Sequence, residues 1–168
     1  MKRLFFSLSV LIFFLCLLSC RPKYMVVVSA ESSRPIEELK ELVLTKGDTA
    51  AYDELMIAHL SEVRFEEYLG YSLYMAHRYN YPPAYWGVYT SLVVASESYG
   101  HAMDERTKEL ALTYLKRGAD LKDYNSLKIL STLYKVGKYV PRDTIRSQQL
   151  SKEMKKADII RNQTNNKR

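Results

Sequence analysis

The sequence predicts an all-α domain, a short α-solenoid of about three helix pairs followed by a capping helix. Apolar residues recur at helical spacing along residues 34–158, between residues that commonly begin or end helices. Three turns of similar sequence join the paired helices. No credible strand pattern appears beyond the valine run at residues 26–28. These observations together favour a helical-repeat fold.

The boundaries of each helix follow from local sequence. Pro35 opens the first helix, IEELKELVLTK, and Gly47 ends it. The prolines at 82 and 83 force a break and start a new helix. The remaining predicted helices run over residues 48–60, 65–79, 82–97, 105–118, 124–135 and 144–157. Their predicted N-terminal caps are the aspartates Asp48, Asp104, Asp123 and Asp143.

The turns within the helix pairs repeat. Each of the segments LVLTKGDTAA, MAHRYNYPPA and RGADLKDYNS ends one helix and begins the next. Small residues stand at the matching last position, where they let paired helices approach closely: Ala51, Ala84 and Ser126. The ends of successive first helices, at Ala76, Ala119 and Ala157, recur at an interval of about 40 residues, which is typical of helical solenoids.

One unit is specific enough to compare with a family. Residues 110–143 read LALTYLKRGADLKDYNSLKILSTLYKVGKYVPRD and resemble the Sel1-like repeat, a relative of the tetratricopeptide repeat. Ser126 stands where that family usually has alanine, and Ser131 where glycine is common. The resemblance implies a right-handed superhelix with a concave face that binds protein segments. It is carried by Gly118-Ala119, Ser126, Leu130, Tyr134, Gly137, Val140 and Asp143.

The first residues have the pattern of a secretory signal. A basic start, Met1-Lys2-Arg3, precedes an apolar run at residues 4–18 that is interrupted only by two serines. This run is shorter than the roughly 20 apolar residues that a membrane-spanning helix needs. We therefore expect residues 1–19 to direct export.

The end of this run, Leu17-Leu18-Ser19-Cys20, resembles the bacterial lipobox. The resemblance implies a diacylglyceryl group on the Cys20 thiol, cleavage after Ser19 and anchoring of the chain to a membrane by several acyl chains. An uncleaved signal anchor and ordinary signal-peptidase cleavage are the alternatives. No acidic run follows Cys20, which favours a periplasm-facing protein of the bacterial cell envelope.

The predicted organisation is a lipoprotein signal peptide (residues 1–19), a lipidated tether (20–33), a Sel1-like helical-repeat domain (34–158) and a disordered basic tail (159–168). Loss of Lys2 and Arg3 with the signal lowers the net charge from +6 to +4. Basic residues concentrate after Arg142, but an envelope location argues against a nucleic-acid partner, and a solvated helix face explains them. The lipobox resemblance implies that Cys16 leaves with the signal and that Cys20 carries lipid, which would exclude disulfides, cysteine-ligated zinc and cysteine catalysis in the mature chain.

Aromatic residues suggest a binding surface. Of the 14 tyrosines, a majority fall between residues 68 and 99, together with the single tryptophan. Tyrosine and tryptophan are enriched at binding hot spots, although aromatic residues at these spacings also fill the space between paired helices. The predicted partner-binding side chains are an aromatic wall and three polar contacts: Tyr71, Tyr74, Tyr85, Trp86 and Tyr89, with Arg78, Arg106 and Lys116.

No catalytic, cofactor or metal-binding pattern is found. The histidines His59, His77 and His101 lack the spacing of a zinc protease, and no glycine-rich phosphate loop or Gly-x-Ser-x-Gly elbow occurs. Capping and solvated surface explain the adjacent carboxylates at 66–67 and 104–105 better than acid–base chemistry does. We therefore predict a non-enzymatic module that binds an unidentified protein. An immunity or inhibitor lipoprotein that neutralises a toxin is the alternative, and an envelope enzyme acting on wall or lipid is a third.

Overall fold

A computed structural model describes residues 34–61, 64–98, 100 and 102–165, and all regular secondary structure in these residues is helical. The predicted signal, Cys20 and the tether lie outside the described residues. No helix among the described residues is long and apolar enough to cross a membrane. The helices are α1 (Ile36–Lys46), α2 (Thr49–Ser61), α3 (Phe65–Tyr79), α4 (Pro82–Ser98), α5 (Glu105–Asp120), α6 (Tyr124–Val136) and α7 (Thr144–Asn165).

The helices stack in chain order. Each helix packs against the next, most extensively at α3–α4, α4–α5 and α6–α7. Two further contacts skip one helix, α1 with α3 and α4 with α6, so equivalent helices of neighbouring pairs also touch. This is the packing of a short helical-repeat solenoid, and it confirms the predicted fold class.

The three repeated turns share a backbone conformation. Gly47, Asn80 and Lys122 occupy the same position in their turns and all lie in the left-handed region, with φ of 62°, 48° and 64°. A non-glycine residue costs about 1 kcal/mol or more there, and asparagine tolerates the region best. The residues four positions later, Ala51, Ala84 and Ser126, are fully buried. The repeat seen in the sequence is therefore also a repeat in geometry.

The four predicted aspartate caps are confirmed. Each carboxylate accepts a hydrogen bond from a backbone N–H in the first turn of its helix, which satisfies a donor that the helix itself cannot. The four bonds join Asp48 to Ala51 N–H at 3.0 Å, Asp104 to Thr107 N–H at 3.0 Å, Asp123 to Ser126 N–H at 2.7 Å and Asp143 to Arg146 N–H at 2.8 Å.

Three residues with the spacing Gly-x-x-Val-x-x-Asp shape the segment between α6 and α7: Gly137, Val140 and Asp143. Gly137 ends α6 with a left-handed φ of 76°. Val140 is buried and anchors the segment on the core. Asp143 caps α7, and its own N–H donates to the Tyr134 carbonyl oxygen at 2.9 Å. Each residue of this motif thus has a local structural role.

The core has two halves. The first core lies among α1–α4, and the second core lies among α4–α7. Helix α4 contributes to both, with Ala84 in the first core and Tyr89 and Val93 in the second. Because α4 joins the two halves, the helices on either side of it share one continuous packed interior.

A hydrogen-bonded cluster of Tyr52, Tyr68 and Ser72 lies inside the first core, and all three side chains are fully buried. The Tyr52 hydroxyl shares hydrogen bonds with the Tyr68 hydroxyl at 2.7 Å and with Ser72 Oγ at 2.9 Å. Ser72 Oγ also lies 2.9 Å from the Tyr68 carbonyl oxygen. Buried hydroxyls that are bonded in this way avoid the cost of an unmet hydrogen bond.

Gly87 of α4 lies directly against this cluster. A Cβ atom at residue 87 would lie 2.4 Å from the Tyr52 hydroxyl, 2.6 Å from Ser72 Oγ and 2.8 Å from the Tyr68 hydroxyl. No side chain fits in that space without displacing the three hydroxyl groups. The glycine therefore permits the close approach of α4 to α2 and α3.

One boundary differs from the sequence prediction. Helix α7 continues past its predicted end at Ala157 to Asn165, whereas the sequence predicts a disordered tail from residue 159. No glycine or proline stops the helix in this stretch. Extending an existing helix fixes only one residue per added hydrogen bond, so it needs little help from packing. The predicted end at Ala157 marks where burial declines, since Ile159 and Ile160 are exposed.

Gly87→Ala is expected to destabilise the domain by about 1–3 kcal/mol, because the added methyl group overpacks the tyrosine–serine cluster. Gly70→Ala is the matched control: a Cβ atom there meets nothing within 4 Å, and residue 70 is exposed in α3. Alanine should stabilise that helix by about 0.5–1 kcal/mol. Urea unfolding followed by circular dichroism measures both changes. Equal stability of the two variants would contradict the close approach at Gly87.

Candidate functional site

The three repeated turns open onto one groove. It is lined by the first residues of α2, α4 and α6 and by Ala157 of α7, and its volume is about 630 Å³. We call it the turn groove. Its polar side chains include Asp53, Lys122 and Asp123. Its apolar and aromatic side chains include Met56, Ile57, Tyr81, the adjacent prolines 82–83 and Tyr124.

Asp53 and Tyr81 form a hydrogen-bonded pair in this groove. The Tyr81 hydroxyl donates to the Asp53 carboxylate, with distances of 3.1 and 3.2 Å to its two oxygens. The ring of Tyr81 meets the buried ring of Tyr52 edge-on, with centroids 5.6 Å apart and an interplanar angle of 88°. The tyrosine–serine cluster therefore supports the Tyr81 ring from behind and fixes its position.

The electrostatics of the pair follow from partial burial. Desolvation raises the pKa of Asp53, the neighbouring Asp123 carboxylate adds to this, and the hydrogen bond from Tyr81 opposes it. Desolvation also raises the pKa of Tyr81 strongly, with Asp53 adding to the effect, so the phenol stays protonated at neutral pH and remains a donor. Asp53 is nevertheless exposed as a residue, so a ligand in the groove can reach it.

Asp123 and Lys122 contribute to the other end of the groove. Asp123 is mostly buried, and its carboxylate accepts the Ser126 N–H that begins α6. Lys122 Nζ lies 2.6 Å from the Glu153 carboxylate of α7, so its charge has a partner. The turn groove thus contains two carboxylates, one from α2 and one from the turn before α6, together with apolar and aromatic surface. Such a surface suits an extended segment that carries both apolar and polar groups.

The predicted aromatic wall is divided among different neighbours. The ring of Tyr71 stacks on His59, with centroids 6.0 Å apart and an interplanar angle of 15°. The Tyr74 hydroxyl donates to the Leu44 carbonyl oxygen at 2.7 Å, which ties α3 to α1. Both tyrosines are half-buried against the first core. They therefore hold α3 against the first helix pair.

The three predicted aromatic residues of α4 face elsewhere. The Tyr85 hydroxyl donates to the side-chain oxygen of Asn80 at 2.8 Å. Trp86 is half-buried against the second core, and Tyr89 is only 6% exposed within it. This burial gives Tyr89 a packing role, which is the alternative that the sequence leaves open for aromatic residues at these spacings. The five aromatic residues do not meet in one wall, and none of them lines the turn groove.

The predicted polar contacts Arg78, Arg106 and Lys116 are exposed. Arg78 is near the end of α3, and Arg106 is in the first turn of α5. Lys116 lines a smaller groove, of about 210 Å³, with Arg146 and Glu153. None of the three lines the turn groove.

Two of the histidines and one of the paired carboxylates are buried or contact other side chains of the domain. His59 is fully buried, and His77 Nε2 lies 2.6 Å from the Tyr114 hydroxyl. Glu67 binds Lys40 at 2.6 Å. His101 lies outside the described residues. Within the described ranges, no group of three or more histidine, cysteine, aspartate or glutamate side chains is placed to hold a metal ion.

The residues of the turn groove were not predicted as a site from sequence. The signal was present in the three repeated turns, because structurally equivalent turns of a solenoid lie along one edge. In the three turns, the residue after the left-handed position is Asp48, Tyr81 and Asp123, respectively. Tyr81 and Asp123 line the groove. Aromatic density instead favours α3 and α4, where most of the aromatic rings pack in or against the two cores.

The described residues form an all-helical protein of stacked helix pairs. Comparison with protein-family models, curated proteins and solved structures finds no match to this chain.

Asp53→Asn is expected to stabilise the domain at pH 7, by less than about 1 kcal/mol because solvent screens an accessible carboxylate. The folded-state pKa of Asp53 is raised above its ordinary 3.8, so its ionisation opposes folding once the pH exceeds the folded-state pKa. Below 3.8 the carboxyl is protonated in both states and the advantage of asparagine disappears. Thermal unfolding between pH 3 and pH 7 measures the difference.

Asp104→Asn is the control of opposite sign. Hydrogen bonds from Thr107 lower the pKa of Asp104, so its ionisation favours folding, and that contribution is lost as the pH falls through the lowered folded-state pKa. This variant should be less stable than the wild type at pH 7. If both variants changed stability in the same direction at pH 7, the described environment of Asp53 would be incorrect.

Proposed function

We propose that this chain is a membrane-anchored envelope lipoprotein that acts as a protein–protein interaction module, and that the turn groove holds a segment of its partner. The observation that carries the proposal is that three turns of equivalent conformation line one groove of about 630 Å³. Stacked repeats present equivalent positions at regular intervals along one edge. An extended peptide also presents its backbone and side chains at regular intervals, so it can contact several repeats at once.

The chemistry of the groove supports binding better than catalysis. Its carboxylates, Asp53 and Asp123, are engaged by the Tyr81 hydroxyl and by the backbone at the start of α6. Among the residues that the structure describes, no histidine or cysteine lines the groove. Apolar side chains such as Met56 and Ile57 supply the contact area from which most binding energy comes.

The anchor and the family are proposals that rest on sequence. The Leu17-Leu18-Ser19-Cys20 pattern supports lipidation of Cys20 in a bacterial envelope. The Gly137, Val140 and Asp143 spacing supports a Sel1-like repeat.

Cys20→Ser is expected to abolish incorporation of labelled palmitate and to leave the chain at its uncleaved mass, because cleavage after Ser19 follows addition of the lipid. The thiol is the acceptor of the lipid, and a serine hydroxyl does not replace it. Cys16→Ser, which changes the cysteine inside the apolar run, is the matched control and should remain labelled. A wild-type chain that keeps its uncleaved mass and takes up no palmitate would instead identify a signal anchor.

Photocrosslinking tests the turn groove as the binding surface. A photoreactive amino acid at Met56 is expected to crosslink one protein in intact envelopes, because residue 56 lines the groove. The same amino acid at Thr132, an exposed position on α6 away from the groove, is the control. Ala50→Trp, which fills the groove from an exposed position, should remove the crosslink made at residue 56. Adducts that persist in Ala50→Trp, or that form equally at residue 132, would contradict the proposal.

A further inference from the structure

We infer that the turn groove selects its protein segment through a lysine or arginine side chain, whose charged end lies between Asp53 and Asp123. The inference rests on the proposed function and adds the chemistry of the segment that binds. It is carried by the sign of the charge in the groove, by the hydrogen-bonding capacity of Asp53, and by the apolar surface beside it.

The turn groove is lined by acidic side chains, although the chain as a whole is basic. The chain carries a net charge of +6, yet two carboxylates line this groove. The basic side chain that lines it, Lys122, binds Glu153 of α7 at 2.6 Å, so its charge is already paired with a carboxylate. The local charge is therefore opposite to that of the whole molecule. A cation is attracted at short range in this groove in particular.

Asp53 can accept further hydrogen bonds. An ionised carboxylate has about four lone-pair sites, and the Tyr81 hydroxyl supplies a single proton to it. An ammonium or guanidinium group in the groove would take the free positions and form charge-assisted bonds, which are stronger than neutral ones. The negative charge of Asp123 repels that of Asp53 and so raises the pKa of the Asp53 carboxyl. A cation placed between them would relieve this repulsion.

The remaining surface suits the stem of a long basic side chain. Lysine and arginine carry apolar methylene groups that pack on apolar surface while the charged end reaches a polar partner. Met56 and Ile57 follow Asp53 on α2 and line the same groove. The Tyr81 and Tyr124 rings lie at its other walls, and aromatic faces attract cations. A volume of about 630 Å³ across three turns holds several residues, which favours a segment over a single small cation.

Peptide selection provides the test. A random dodecapeptide library displayed on phage is selected on the full chain in detergent, and peptides that Ala50→Trp fails to bind are kept. We expect these peptides to share a lysine or arginine at a fixed position beside apolar residues. Each one is synthesised with that lysine, or with norleucine in its place. Binding of both forms is measured by fluorescence anisotropy.

The variants separate charge from structure. Asp53→Asn/Asp123→Asn removes both carboxylates, while asparagine still accepts from Tyr81 and still caps α6. Asp104→Asn/Asp143→Asn removes two charges at the matched caps of α5 and α7, outside the turn groove. The wild type and the control should bind the lysine peptide about tenfold more tightly than the norleucine peptide. The groove variant should bind both peptides equally, with an unchanged circular dichroism spectrum.

The outcomes are distinguishable. Groove-dependent peptides that lack a basic residue, or an unchanged lysine preference in the groove variant, would overturn the inference and leave the proposed function standing. A selection without any peptide sensitive to Ala50→Trp would overturn both. Displacement of the peptide by an equal concentration of spermidine would assign the groove to small polycations and overturn the choice of a protein segment.

Discussion

The close approach of paired helices at the turns is the constraint on which the rest of the structure depends. Ala51, Ala84 and Ser126 are fully buried one turn into the second helix of each pair. In the third pair a Cβ atom on Gly118 would lie 2.2 Å from Ser126 Oγ, so glycine faces serine where no larger pair fits. Small residues at equivalent positions bring the three turns to one edge. The turn groove exists because the helices are paired in this way.

A second close approach, at Gly87, determines how the first two pairs meet. The bonded hydroxyls of Tyr52, Tyr68 and Ser72 fill the space that Gly87 leaves. A polar cluster satisfied in this manner costs little, and it disfavours alternative packings in which its hydroxyls would be buried without partners. The cluster also supports the ring of Tyr81 by an edge-on contact with Tyr52. The packing of the core and the shape of the groove are therefore connected through one tyrosine pair.

Much of the fold could be predicted from sequence, because its signals are local. Helix ends depend on glycine, proline and aspartate caps, and the bonds of Asp48, Asp104, Asp123 and Asp143 depend only on residues three positions away. The site could not be predicted in this way. Tyr89 is buried and Tyr81 lines the groove because different helices pack against them. Both lie in the same aromatic-rich stretch of sequence, so aromatic density does not distinguish them. The end of α7 was also missed, because apolar periodicity reports burial rather than helix length.

Among the described residues, two of the three non-glycine residues with a left-handed φ adjoin the turn groove, and the third, Tyr139, lies between α6 and α7. Lys122 has a left-handed φ of 64°, which costs a non-glycine residue about 1 kcal/mol or more, and it directly precedes Asp123. Asn80, with φ of 48°, directly precedes Tyr81. Asp53 retains a carboxylate whose ionisation is opposed by burial and by Asp123. Glycine in the turns and asparagine at residue 53 would each remove a cost without disturbing the fold. Groups kept at a cost to stability on one surface are most simply explained by a ligand that uses them, which is why the groove, rather than the aromatic core of α3 and α4, is the better candidate for the functional surface.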